Sequence, residues 1–218
     1  MAGMFITFEG GEGSGKTTQI QLLAKWLEGQ NLGISPLVTR EPGGTSGAED
    51  VRNLLVTGSA DKWLPATEAL LMSASRHEHV ERTIKPALAA GQVVISDRYY
   101  DSTTVYQGIV GGVDRRAVQA LHDLACGGLS PDITILLDMD VELGLGRAHG
   151  RGGDETRFET KGTAFHQQVR HGFLALAEAD PDRICVIDAA GDVDSIFAKI
   201  RDAVAARQKD LGTMSANG

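Results

Sequence analysis

The chain has 218 residues, 42% hydrophobic and 23% charged, an ordinary globular balance and enough length to bury a core without staples. Twenty-one Lys and Arg against 29 Asp and Glu give a net charge of −8. That excludes a general nucleic-acid coat or a binder of anionic membranes, but not a small polyanionic ligand, which feels local charge.

Five short apolar runs read as strands, and helix-patterned segments separate them. In chain order they are a strand at 4–9 (MFITFE), a helix at 16–29, a weaker strand at 34–38 and a long helix at 67–90. A strand at 92–96 (QVVIS), a helix at 115–125, a strand at 133–137 (ITILL) and a helix at 141–147 follow. A helix at 164–179, a strand at 183–187 (RICVI) and a helix at 193–206 complete the set. The runs lack polar alternation, as expected of strands covered on both faces. Strand alternating with helix predicts a doubly wound α/β fold, a parallel sheet with right-handed crossovers. Residues 1–208 form one domain in this reading, with 209–218 a flexible tail. The glycine-rich, charged stretch between Ala148 and Thr156 predicts a mobile surface loop.

Glycine is the compositional outlier at 27 residues. The first strand runs into Gly10-Gly11-Glu12-Gly13-Ser14-Gly15-Lys16-Thr17-Thr18, which fits the phosphate-loop pattern G-x-x-x-x-G-K-[ST] between a strand and a helix. Glycines let backbone N–H groups turn around a phosphate, and the helix adds its positive N-terminal end. Lys16, expected to face solvent in the empty loop, supplies charge to the β- and γ-phosphates, and the Thr17 hydroxyl is placed to ligate Mg²⁺. No N-K-x-D guanine signature is present and the length leaves little room for a motor, so a kinase of a small acceptor leads. A nucleotide-gated regulator without turnover is the rival from another class.

Cys126 and Cys185 make neither a CxxC nor a zinc spacing; reduced thiols and a cytoplasmic setting are expected. No charged n-region precedes an apolar stretch at the start, and no apolar run approaches the ~20 residues of a membrane helix.

Further clusters follow the strands: Thr39-Arg40-Glu41-Pro42-Gly43-Gly44-Thr45, then Asp97-Arg98-Tyr99, then Tyr106-Gln107-Gly108. Asp97, at the carboxyl end of a strand, suits either a Mg²⁺ shell or a helix cap. Arg98 beside it can grip a monophosphate with two parallel hydrogen bonds. Taken alone, Arg40 is as readily a solvated strand-end arginine.

The combination FEGGEGSGKTT, TREPGGT, IKPAL, DRY followed by YQG, and ILLDMD resembles the bacterial thymidylate kinases from about residue 4 to about 200. The resemblance implies a P-loop nucleoside-monophosphate-kinase fold, a five-stranded parallel sheet flanked by helices with a short lid near 147–158. It implies ATP as donor with Mg²⁺, dTMP as acceptor, and a homodimer through 115–125 and 67–90. It assigns Arg98 and Arg40 to the acceptor phosphate, Arg76 to O4 of thymine, and Thr103, Tyr106 and Gln107 to the dTMP site, with Tyr106 crowding a 2′-hydroxyl. Met72 stands where relatives carry a stacking aromatic, and the arginine they often carry after YQG is absent. Relatives lacking a basic residue inside the phosphate loop place arginines in the lid. That gives Arg147, Arg151 and Arg157 a role on the moving phosphoryl group, Arg151 foremost, and turns Glu12 toward the sugar 3′-hydroxyl or a metal-bound water.

Overall fold

A computed structural model describes residues 3–30, 35–149, 157–158 and 161–216. Five strands, β1 (Met4–Gly10), β2 (Leu37–Arg40), β3 (Val93–Asp97), β4 (Ile133–Asp138) and β5 (Ile184–Asp188), form one sheet in the order β2-β3-β1-β4-β5. All four pairings are parallel. Central β1 is buried at every residue, which is why its sequence reads as an unbroken apolar run. Its neighbours lead to opposite halves of the sheet, so the chain leaves β1 at a topological switch point, where such sheets bind ligands.

The helices are α1 (Lys16–Glu28), α2 (Ser46–Val56), α3 (Pro65–His79), α4 (Lys85–Ala89), α5 (Tyr100–Thr103), α6 (Arg115–Cys126), α7 (Val141–His149), α8 (Thr163–Ala179) and α9 (Val193–Ala216). Ile20, Leu23 and Leu27 of α1 bury against Ile6, Phe8 and Ile135 of the sheet and Ile196 and Ile200 of α9. Opposite them, Phe5 and Val94 pack with Val80, Ile84 and Tyr99.

The strands fall within three residues of expectation, and three features differ. The segment expected as one helix over 67–90 is interrupted by a π-helical turn, Val80–Ile84. Pro86 has no N–H and its ring crowds the preceding turn; the ladder widens just before it, with Lys85 N–H bonding to Val80 C=O. The helix α2 was missed, because its start is the glycine-rich Thr45-Ser46-Gly47 and its apolar residues cluster late. Its N-cap is legible afterwards: the Thr45 hydroxyl accepts from Ala48 N–H at 3.2 Å. Finally, α9 continues to Ala216, past the expected break at 209.

Candidate active site

A cavity of about 260 Å³ opens at the carboxyl ends of β1, β2 and β3. One end is the phosphate loop. Gly10 and Gly13 have φ of 137° and 70°, and a Cβ on Gly13 would lie 1.9 Å from the Gly144 carbonyl of α7, so neither position tolerates a side chain. Gly15 caps α1 without a side-chain bond, which leaves the first-turn N–H groups directed at the loop. Lys16 is not solvent-facing, as expected from sequence, but buried: Nζ donates to the carbonyls of Gly10 (3.1 Å) and Gly11 (2.9 Å). Burial and the nearby Arg98 lower its pKa, while Glu12 and Asp97 oppose them.

Beside the loop, Arg98 adopts φ 68°, a backbone conformation uncommon for a residue other than glycine. Its surroundings hold it there. Its N–H bonds to Phe8 C=O at 2.9 Å, and Ser96 Oγ donates to the Arg98 carbonyl at 2.8 Å. Nη2 donates to Glu12 Oε1 at 2.9 Å and Nη1 to Ser102 Oγ at 3.2 Å. Burial opposes the guanidinium charge, but Tyr106, Glu12, Glu9 and Asp97 outweigh it and Arg98 stays cationic. For Glu12, burial works upward, yet Arg98 and Lys16 hold its carboxyl below the usual range.

Glu9 went unnoticed in the sequence, where it reads as a lone acid in an apolar strand. Fully buried, it accepts from Tyr99 N–H (2.9 Å), Ser102 N–H (3.1 Å) and Ser102 Oγ (2.7 Å), and lies 3.7 Å from Arg98. Burial pushes its pKa up to about 7 despite Arg98.

Asp97 is not a helix cap: Oδ1 is buried without a partner among the described residues, at the cavity wall with Thr17. An orphaned carboxylate oxygen and a hydroxyl are hard donors beside a phosphate loop, so these residues fit Mg²⁺, which is held by one or two carboxylates plus substrate phosphates.

The far end is a buried polar wall. Arg76, 3% exposed, donates from Nε to Glu41 Oε2 (2.7 Å) and from Nη2 to Thr103 Oγ1 (3.0 Å). Nη1 bonds to none of the described residues. Burial opposes the Arg76 charge, but Glu41 outweighs it and the pKa is raised. Glu41 also bonds His79 Nδ1 at 3.0 Å, and His79 Nε2 meets Thr39 Oγ1 at 2.7 Å. Tyr106 and Gln107 lie on a π-helical segment, Thr104–Val110. The Tyr106 ring packs against Phe158 and Phe173, and burial raises its pKa to about 12. Gln107 Oε1 is buried with no partner among the described residues. Met72 lines the same wall.

Most predicted residues converge: Glu12 to Thr17, Arg40, Met72, Arg76, Asp97, Arg98, Thr103, Tyr106 and Gln107 all line the cavity. Gly10, Gly11, Thr18 and Arg147 do not. Arg40, 54% exposed, pairs with Glu49 at the rim. Arg147 is exposed on α7, with Nη1 3.6 Å from Met139 Sδ. Arg151 lies outside the described residues. Arg157 corrects the expected lid role: it is 1% exposed and bonded to the carbonyls of Leu55, Ser59 and Ala60 and to Glu68, away from the cavity. The cavity also gains Arg52, whose Nη1 donates to Pro42 C=O at 2.7 Å. Five basic side chains (Lys16, Arg40, Arg52, Arg76, Arg98) thus face three acidic ones (Glu12, Glu41, Asp97), a local excess of positive charge in an acidic chain.

A phosphate loop at a switch point, with a buried arginine beside it in one positively charged cavity, has the form of a P-loop kinase of a small phosphorylated acceptor. The comparisons agree with that class. A family profile described as thymidylate kinase matches residues 8–200. The chain is 51% identical to a thymidylate kinase of Caulobacter vibrioides, covering 94% of this chain and 97% of the relative. It is 50% identical to one of Ruegeria pomeroyi, covering 93% and 94%. The crystal structure of thymidylate kinase from Ehrlichia chaffeensis superposes with a TM-score of 0.76 at 34% identity, over 94% of this chain and 100% of that one. The chain belongs to the thymidylate kinase family.

Proposed function

We propose that the protein transfers the γ-phosphoryl group of ATP to dTMP, giving dTDP and ADP on the route to dTTP. The observation that carries this is the two-ended cavity: Lys16 and Arg98 gather at one end, and the buried Arg76 and Gln107 offer a donor and an acceptor at the other. The acceptor needs no general base, because a phosphate monoester has a second pKa near ~6 and its oxygen is already anionic. What the residues do is align two like-charged phosphates and neutralise them. Lys16 serves the donor phosphates. Arg98, its fork oriented by Glu12 and Ser102, holds the acceptor phosphate, with Arg40 at the rim. Arg76 Nη1 donates to O4 of the base, and Tyr106 packs beside the sugar. Asp97 and Thr17 would hold Mg²⁺, which would supply positive charge against the phosphates when bound. Arg151 is assigned to the transferring group, so Arg151→Ala should lower kcat more than dTMP affinity.

The exposed Leu70 (57%) on α3 and Leu124 (81%) on α6 support a homodimer through these helices. Both cysteines are free, which supports a reducing cytoplasmic setting. No described helix is long and apolar enough to cross a membrane. The deciding experiment is ADP release with a panel of nucleoside monophosphates. ADP formed with dTMP, weakly with dUMP and barely with dCMP supports the reading; turnover of dCMP equal to dTMP overturns it.

A further inference from the structure

Glu68 and Arg157 form a buried ion pair that lies outside the cavity wall. Glu68 sits on the first turn of α3, 4% exposed. One carboxylate oxygen takes the Arg157 guanidinium; the other, Oε2, accepts from Gln107 Nε2 at 2.9 Å. Arg157 is anchored in turn by the carbonyls of Ser59 (3.0 Å), Leu55 (3.1 Å) and Ala60 (3.3 Å). Three converging carbonyls fix the plane of the guanidinium, and so fix where Glu68 must lie.

This arrangement decides which end of the Gln107 amide meets the ligand. A primary amide has a donating end and an accepting end of nearly equal shape, and its neighbours choose between them. A carboxylate paired with a guanidinium only accepts, so the NH₂ must face Glu68. The carbonyl is left over, and Oε1 is the atom that is buried without a partner among the described residues while Gln107 lines the cavity. The reverse orientation would set two acceptors against each other at Glu68. An acceptor at this wall suits a pyrimidine whose N3 carries hydrogen, as in thymine and uracil, and opposes cytosine, whose N3 is itself an acceptor.

We propose that Arg157 and Glu68 are positioning residues that lock the polarity of the Gln107 amide and thereby set which pyrimidine edge the cavity takes. The proposal rests on reading the cavity as the dTMP site.

The test is Glu68→Gln, which keeps the shape but can donate or accept, so either orientation of Gln107 becomes available. The dTMP-over-dCMP ratio of kcat/KM should fall about tenfold, mainly through a higher KM for dTMP, with kcat on dTMP within about threefold. Arg76 is untouched, so part of the discrimination remains. A purely structural role would depress both acceptors in proportion. Because Glu68→Gln leaves a buried guanidinium without its counter-charge, the double variant Glu68→Gln/Arg157→Met removes both charges and should show the same fall. Arg157→Lys keeps a positive partner and should retain the ratio. An unchanged ratio in folded Glu68→Gln or in the folded double variant overturns the proposal. Failure of both to fold also counts against it, because the pair would then be a structural anchor. Equal use of dCMP and dTMP by the wild-type protein would instead sink the dTMP reading itself, whatever the variants do.

Discussion

The two ends of the cavity are built in different ways. The phosphate end rests on one contiguous stretch, Gly10 to Thr17, shaped by glycine backbone and a helix N-terminus, with Asp97 and Arg98 beside it. The base end is assembled from distant segments: Glu41 after β2, Glu68, Met72, Arg76 and His79 on α3, Thr103 and Gln107 after β3, and Arg157. Its polar atoms are buried and mostly paired with one another, Gln107 Oε1 and Arg76 Nη1 excepted among the described residues. Removing one partner of such a pair strands a charge, whereas removing the loop lysine leaves a backbone cradle that still stands. Damage at the base end should therefore appear as lost stability, and at the phosphate end as lost rate.

The largest effect is expected for Arg76→Ala. It leaves Glu41 buried with only His79 beside it, and breaking a buried pair costs about 3–5 kcal/mol. Denaturant unfolding reads the loss, and KM for dTMP should rise in whatever remains folded. A stability within 1 kcal/mol of wild type, as an order of magnitude, would erase the contrast between the two ends.

Lys16→Ala should do the opposite, dropping kcat about 100-fold or more while stability changes by about 1 kcal/mol. Near-normal turnover in the folded variant would remove the phosphate-loop assignment.

Glu9 lies buried 3.7 Å from Arg98, and titrates. Its folded pKa is raised from 4.5 to about 7, so the folded state keeps a proton that the unfolded chain has released. The associated stability is complete below the unfolded value of 4.5 and is lost as pH rises to about 7. The loss is on the order of 3 kcal/mol. Wild-type stability minus that of Glu9→Gln should fall across this window and then level; a flat difference from pH 5 to 8, as rough bounds, refutes it.

The smallest effect is expected at Met72. A ring there can stack on the base, so Met72→Phe should tighten dTMP binding a few-fold with kcat unchanged, in line with the ~0.5–1.5 kcal/mol of an aromatic pair. Weaker binding would make Met72 a packing residue with no space beside it.

Legibility follows contiguity. The β1–loop–α1 unit could be read because glycine, lysine and threonine at fixed spacing have one shared explanation. The strands could be read because two-sided burial forces apolar runs. The same reading put Lys16 in solvent, although its amine folds back onto Gly10 and Gly11, a contact that periodicity does not express. It also grouped Arg157 with the lid arginines, because neighbours in sequence share a loop but need not share a destination.

By itself the sequence determined the layer order, the phosphate loop, the family and most of the arginine and aromatic residues that line the cavity, because each rests on local steric rules or on short motifs. Only the tertiary structure decided the partners of the buried charges. Glu41 joins Arg76 and His79 across 35 and 38 residues of chain, Glu68 joins Gln107 and Arg157 across 39 and 89, and Glu9 joins Ser102 across 93. A buried charge must find a counter-charge wherever the fold brings one, and nothing in its own neighbourhood of the sequence names that partner.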